Sequence, residues 1–264
     1  MFKKFILILI TTFTLIYNVN AASDGELLLK KNNPAEVKEC WEGFNRASFA
    51  LNKGLDKVIF KPVAGVYRNL PNPIKSGVSN SLDNLSNVIT IPNNILQGDF
   101  AEAGVNTGRF IINTTIGILG IFDVAKEMGF SEYEKEDYGQ TLAVWGVGPG
   151  CYLVLPVLGP STLRDTAGSF INVMGGDPYY NVSAHGNNQY LDRSDYMLTK
   201  TITAIDFRAK NLETLENLEK NSLDFYASVK SLYIQDRERK IKNTKTGATI
   251  EIIYEGDWEE IETQ

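Results

Sequence analysis

The chain has 264 residues, 26 Lys and Arg against 32 Asp and Glu, and a formal net charge of -6. An acidic balance without clustered cations excludes binding to nucleic-acid phosphates. One histidine and two cysteines are too few nitrogen and sulfur ligands for an ordinary zinc centre. The length suffices for one large or two small domains with a real core.

In chain order, Lys3 and Lys4 precede an apolar run from Phe5 to Ile16, and Val19 and Ala21 are small residues before Ala22. The pattern predicts a secretory signal peptide over 1–21, cut between Ala21 and Ala22, because the apolar core is too short for a stable membrane anchor. Loss of Lys3 and Lys4 takes the net charge from -6 to -8. Residues 22–35 read as a tether, 36–241 as one compact helical unit, and 242–264 as a tail that turns acidic at its end.

Helical periodicity dominates the unit. Trp41, Phe44, Ser48, Leu51, Leu55 and Val58 recur at spacings of three and four, predicting a helix that Pro62 ends. Its opposite face carries Glu42, Asn45, Arg46, Asn52 and Asp56, with Glu42 and Arg46 at the ion-pairing spacing. A second helix follows Pro73, with Ile74, Val78, Leu82, Leu85 and Val88 on one side, and is expected to stop at Pro92. A third opens near Asp99, where Gly104 and Gly108 would permit close helix approach. The run from Phe110 to Phe122 is apolar nearly all round, as deep core or a membrane face requires. Leu198, Ile202, Ile205, Ala209, Leu212 and Leu215 continue a helical stripe, resumed by Phe225, Val229 and Leu232. The charged faces beside it, with Lys210, Glu213, Glu216, Glu219 and Lys220, read as solvated. Strand signals are sparse: Tyr152 to Leu155, and a weak alternation from Thr249 to Tyr254.

From Gly139 to Leu163 no side chain is charged, yet Gly146, Gly148, Pro149, Gly150, Pro156, Gly159 and Pro160 forbid one continuous helix. Such a segment cannot span a bilayer alone. Bare backbone groups in hydrocarbon cost several kcal/mol each, so it is expected to be wrapped by helices. The catalytic inventory is nearly empty. His185, in the loop Tyr180 to Gly186, reads as an exposed loop histidine without triad partners. The cluster Gly146, Gly148 and Gly150 lacks the rest of a dinucleotide fingerprint, and no P-loop occurs. Glu134 and Asp137 fall in the charged stretch Glu132 to Asp137, which reads as a solvated loop rather than acid/base machinery.

Several ordered motifs carry a resemblance. They are Trp41-Glu42-Gly43-Phe44-Asn45-Arg46 with Phe49 and Asn52; Asn113-Thr114-Thr115-Ile116-Gly117; Gly139-Gln140-Thr141-Leu142 with Trp145 to Gly150; and Leu155-Pro156, Gly159-Pro160-Ser161-Thr162-Leu163-Arg164-Asp165. Together they resemble the MlaA/VacJ family. The resemblance implies a mainly α fold, a single multi-helix ring or disc with a central amphipathic channel and little β structure. It implies a place at the periplasmic face of a Gram-negative outer membrane. It also implies removal of mislocalised phospholipids from the outer leaflet, with a porin trimer and a periplasmic lipid-carrier protein as partners and no cofactor or catalysis. Phe44 and Asn45 become candidates for gating, and Gly148, Gly150, Leu153, Leu155 and Pro156 for the channel path. Phe110 to Phe122 reads as membrane-facing or disc-core, and Trp145 and Tyr152 as interface rings. Two rival classes are a porin-organising scaffold without a path, and a lipid hydrolase that would have to recruit His185.

Two departures stand out. Members of the family are usually acylated on a cysteine directly after the signal peptide, whereas the first cysteine here is Cys40, in the first motif helix. The chain therefore reads as unacylated, held by its own apolar rim and a porin partner. Cys40 and Cys151 stand where the family more often has other residues, and either pair as a disulfide or remain two independent buried thiols. Intact-mass measurement on the exported protein is expected to give an unmodified chain beginning at Ala22; a lipid adduct or a retained Met1 would overturn the signal-peptide reading.

Overall fold

The computed structural model describes residues 37–185 and 191–242, and of Ala184 and His185 the backbone only. The signal cut at Ala21 and Ala22, the tether, the His185 side chain, the Thr249 to Tyr254 alternation and the acidic tail lie outside the described residues.

The fold is mainly α. Helix α1 (Glu42–Leu55) passes through a π-helical turn, Asp56–Phe60, into α2 (Lys61–Arg68). Pro62 thus does not end the first helix as expected. It sits in the first turn of α2, within a continuous helical run, and the wider π turn before it accommodates the ring at the cost of one backbone bond. Helix α3 (Asn72–Gln97) likewise continues through Pro92 and stops at Gly98, whose φ of 82° caps it. One lost backbone bond inside a helix of 26 residues is outweighed by the packing of the rest.

Asp99 N-caps α4 (Phe100–Thr115), accepting a bond from the Glu102 amide. The apolar run after it is not one helix. It turns through Ile118 and Leu119, both at positive φ, and Gly120, and leaves Leu119 71% exposed. A β-branched residue such as Ile118 in the left-handed region is strained. Gly104 and Gly108 make no helix–helix seam: Gly108 faces the Phe130 ring and Gly104 faces open space.

After α5 (Val124–Glu127) come α6 (Tyr138–Val144), the hairpin β1 (Tyr152–Leu155) and β2 (Gly159–Thr162), and α7 (Leu163–Ile171). The strands are antiparallel, with Tyr152 opposite Thr162 and Leu155 opposite Gly159. The uncharged segment is therefore partly regular, and only partly wrapped. β1 lies under α1, while the hairpin tip leaves Leu158 78% exposed. Tyr152 is fully buried in the core with Val154 and Tyr226, not at an interface. The close helix approach comes from Gly139 and Gly168, since a Cβ on Gly168 would lie 2.4 Å from the Gly139 nitrogen.

A π turn, Asn172–Gly176, leads to α8 (Pro178–Tyr180) and a further π turn, Asn181–His185, so the expected loop around Tyr180 is helical in part. Three helices close the fold: α9 (Arg193–Lys210), α10 (Leu212–Asn221) and α11 (Phe225–Ile241). The acidic row of α10 is not merely solvated. Glu213, Glu216 and Glu219 pair with Arg68, Lys61 and Lys53 at 2.6, 2.9 and 2.8 Å, tying α10 to α1 and α2.

Cys40 lies just before α1, not inside it, and is joined to Cys151, with the Cα atoms 5.6 Å apart across 111 residues of sequence. Closing so long a loop removes denatured-state entropy, about 4–5 kcal/mol in the chain-entropy treatment. Reduction and alkylation should therefore lower the unfolding midpoint of the detergent-solubilised protein, and mass spectrometry before reduction should find neither thiol alkylatable.

Candidate functional site

The interior is polar and the exterior apolar. Asn45, Asn84, Asn87, Asn93, Asn94, Asn106 and Asn113 are all buried, whereas Phe44, Ile59, Phe100, Ile111, Ile116 and Phe122 are exposed. A soluble domain of this size shows the reverse bias. The inversion begins in the periodicity: on α1 the stripe of Trp41, Phe44, Leu51 and Val58 faces outward, and Asn45 and Ser48 face inward.

Each buried amide needs partners, and most are found on another element. Asn45 Nδ2 donates to the Tyr152 carbonyl at 3.0 Å while its Oδ1 accepts from the Val154 amide at 2.9 Å. Two turns on, Asn52 repeats the pattern with the Leu155 carbonyl and the Val157 amide, at 2.9 and 2.6 Å. These two side chains act as a substitute strand along β1. Between α3 and α4, Asn106 Nδ2 donates to Asn94 Oδ1 at 3.0 Å and Asn84 Nδ2 to Thr114 Oγ1 at 2.9 Å. Thr141 of α6 donates to Asn93 Oδ1 at 2.6 Å. Arg109 grips both oxygens of Asp123, at 2.9 and 2.7 Å, and Asn113 donates to the same carboxylate at 2.8 Å.

A second charged knot lies under α11. Arg237 donates to both oxygens of Asp137, at 2.6 and 3.0 Å, and to Asp165 at 2.8 Å, and Tyr233 donates to Asp165 at 2.6 Å. The Gly139 and Gly168 contact brings Asp137 and Asp165 within reach of one guanidinium. Burial works to raise both carboxyl pKa values, but Arg237 outweighs it and holds both below the ordinary range. Glu136, expected in a solvated loop, is buried, and that burial pushes its carboxyl up to about 7 against the opposing Gln97 hydrogen bond.

Two cavities open along α3, sharing Asn80 in their walls. One, of about 390 Å³, is lined by Tyr67, Arg68, Lys75, Ser79, Asp206 and Lys210 among others. The other, of about 220 Å³, is walled by Asp83, Asn84, Asn87, Arg109, Asp123 and Tyr133 and their neighbours. None of the sequence-proposed path residues lines either. Phe44 and Pro156 are exposed, Asn45 and Leu153 are buried beside the hairpin, and Leu155 is half-buried. Gly148 faces open space, and Gly150, at φ 67°, touches Leu163. Six of these seven residues, all but Gly148, gather around the corner where α1 meets the hairpin. The cavity residues went unmarked because the periodicity was read for apolar residues. The recurring asparagines at 80, 84 and 87, four and three apart, are the signal that could have found them.

Among the described residues no helix is long and apolar enough to cross a membrane, and no group of His, Cys, Asp or Glu is arranged to hold a metal. The class defined by fold and site is a mainly helical protein with a polar, cavity-bearing interior and an apolar outside. The chain belongs to the MlaA lipoprotein family, whose profile matches residues 37–240. It is 33% identical over 82% of its length to the intermembrane phospholipid transport system lipoprotein MlaA of Escherichia coli, covering 81% of that protein. A protein of Rickettsia bellii is 36% identical over 87% of this chain and 85% of its own. A solved structure, reported as a structural basis for maintenance of bacterial outer membrane lipid asymmetry, superimposes with a TM-score of 0.67 at 32% identity, covering 77% of this chain and 99% of that one.

The titrations set a stability profile. Asp137 and Asp165 have depressed folded values, so their contribution is full above the ordinary carboxylate pKa and is lost as pH falls through the folded values. Glu136 has a raised value, so its contribution is full below the ordinary value and is lost as pH rises towards about 7. Glu136→Gln is expected to flatten the decline on the neutral side, a difference of up to about 3 kcal/mol between pH 4 and pH 8, while leaving the acid limb unchanged. Denaturant unfolding across pH checks both limbs.

Proposed function

We propose that this chain transports phospholipid at the outer membrane, removing mislocalised phospholipids from the outer leaflet and passing them to a periplasmic carrier protein, with a porin trimer as its membrane partner. The observation that carries the reading is the inversion of polarity. An apolar exterior on helices of which none, among the described residues, is both long and apolar enough to cross a membrane suits burial in one leaflet, and a polar interior offers a charged headgroup a route that hydrocarbon does not. The names of the relatives supply the transport role, and the physical inversion supplies the reason for it.

Attachment follows from the same surface. Both cysteines at 40 and 151 are engaged with each other, leaving neither thiol for acylation, so the exposed apolar side chains and the porin hold the protein at the periplasmic face. The corner of α1 and the hairpin, with Phe44, Asn45, Gly150, Leu153, Leu155 and Pro156, is the gating element of this proposal. The bonds of Asn45 and Asn52 to the hairpin hold that element in place, and Gly148 lies on the flanking turn.

The test is the phospholipid content of the outer leaflet in cells lacking this protein and retaining the porin. Accumulation that the restored chain reverses is the expected result. Gly148→Trp, which adds bulk where nothing lies within 4 Å, should leave folding and porin binding intact and slow the reversal. Absence of accumulation on deletion would overturn the transport reading in favour of a porin-organising scaffold.

A further inference from the structure

The larger cavity along α3 is walled mainly by donors. Arg68, Lys75 and Lys210 line it with the hydroxyls of Tyr67, Ser76 and Ser79, and Asp206 is the one carboxylate in that wall among the described residues. That carboxylate is already engaged. One of its oxygens accepts from the Tyr67 hydroxyl at 2.9 Å and the other pairs with Lys210 at 2.9 Å. Lys75 makes no ion pair among the described residues, and its Nζ donates to the Arg68 carbonyl at 2.9 Å, which holds the ammonium beside the end of α2. Lys75 and Ser76 also belong to the opening turns of α3, where the helix dipole adds positive potential.

Arg68 is the most weakly held of these cations. It meets Glu213 of α10 through one bond, at 2.6 Å, and the Glu213 side chain is 76% exposed, so solvent screens the pair and its contribution is small. Most N–H donors of the guanidinium take no partner among the described residues. α10 itself is loosely attached: it has no buried residue, and its other ion pairs, Glu216 with Lys61 and Glu219 with Lys53, lie at the surface too. Its ends are free to bend. Asn211 gives it no side-chain cap and Ser222 after it is extended, at ψ 140°, and a helix of 10 residues is marginal in water without packing.

A phosphodiester carries two unbridged oxygens that match the guanidinium fork, so it can make two charge-assisted bonds where Glu213 makes one. Once Glu213 leaves, Arg68, Lys75 and Lys210 face Asp206 alone on the cavity wall, a balance that favours an anion. We infer that the larger cavity is a subsite for the phosphate of a phospholipid headgroup, bound at Arg68 in the field of Lys75 and Lys210, and that α10 is a strap whose Glu213 occupies Arg68 until the phosphate displaces it. This rests on the proposed phospholipid transport and adds to it a place for the group that all phospholipids share.

The test is hydrogen–deuterium exchange on the full exported chain in a maltoside detergent, with short-chain phosphatidylglycerol, the matching diacylglycerol or inorganic phosphate added. Phosphatidylglycerol should speed exchange of the α10 amides several-fold and leave α11 unchanged, while the diacylglycerol, which lacks the phosphate, should do neither. Glu213→Gln should speed α10 exchange without lipid and raise lipid retention, read by native mass spectrometry. Arg68→Gln should speed α10 exchange as well, yet lower retention about tenfold. Both side chains are partly exposed, so neither change empties a buried site, and opposite effects on retention from breaking one ion pair are not what a merely structural contact gives. An α10 indifferent to the phospholipid, or equal retention by the two variants, would overturn the subsite and the strap while leaving lipid transport standing. An effect of inorganic phosphate equal to that of the lipid would overturn the lipid as the source of the phosphate. Wild-type protein that retains no phospholipid would overturn the transport reading as well.

Discussion

Everything in this structure answers to one requirement: amides and charges that face inward must find partners inward. A domain that turns its leucines and phenylalanines outward gives up much of the hydrophobic burial that ordinarily drives folding in water. What holds the interior instead is directional. Asn45 and Asn52 dock α1 on the hairpin by imitating a neighbouring strand, and Asn94 and Asn106 join α3 to α4. Such bonds tolerate few alternative registers. A buried polar network that is largely satisfied specifies one arrangement more tightly than an apolar core of the same size.

The charged knots extend this logic over long sequence distances. Arg237, near the end of the described chain, gathers Asp137 and Asp165, and Arg208 binds Asp56 through two bonds, at 2.7 and 2.9 Å. Removing one partner of a buried pair leaves the other charge stranded, a larger cost than the net value of the pair. The Cys40–Cys151 link works on the same corner as Asn45 by a different route, covalently joining the segment before α1 to the residue before β1. The α1–hairpin corner is thus fastened by backbone-like amides on one side and a covalent bond on the other, while the cavities along α3 lie clear of it.

That separation bears on function. Family membership accounts for the overall design, a helical body carrying apolar side chains outward. The cavity walls belong to α2, α3, α4, α9 and the segment from Asp123 to Tyr133. A headgroup moving there would exchange water for fixed dipoles and charges, the condition under which a polar group can pass through an apolar layer.

Much of the fold was legible in the sequence because helical periodicity is local. The stripes of α1, α3 and α9, the Asp99 cap and the β run from Tyr152 to Leu155 all follow from residues a few positions apart. The ordered motifs from Trp41 to Asp165 placed the chain in its family. The proline stops at 62 and 92 were misread because a π turn and the packing of a long helix override a local cost. The direction in which each stripe faces was not legible: a three-four pattern marks two sides of a helix without saying which is inside. Only the tertiary structure decided that the asparagine side is the interior, because only there do amides from distant elements meet and pair.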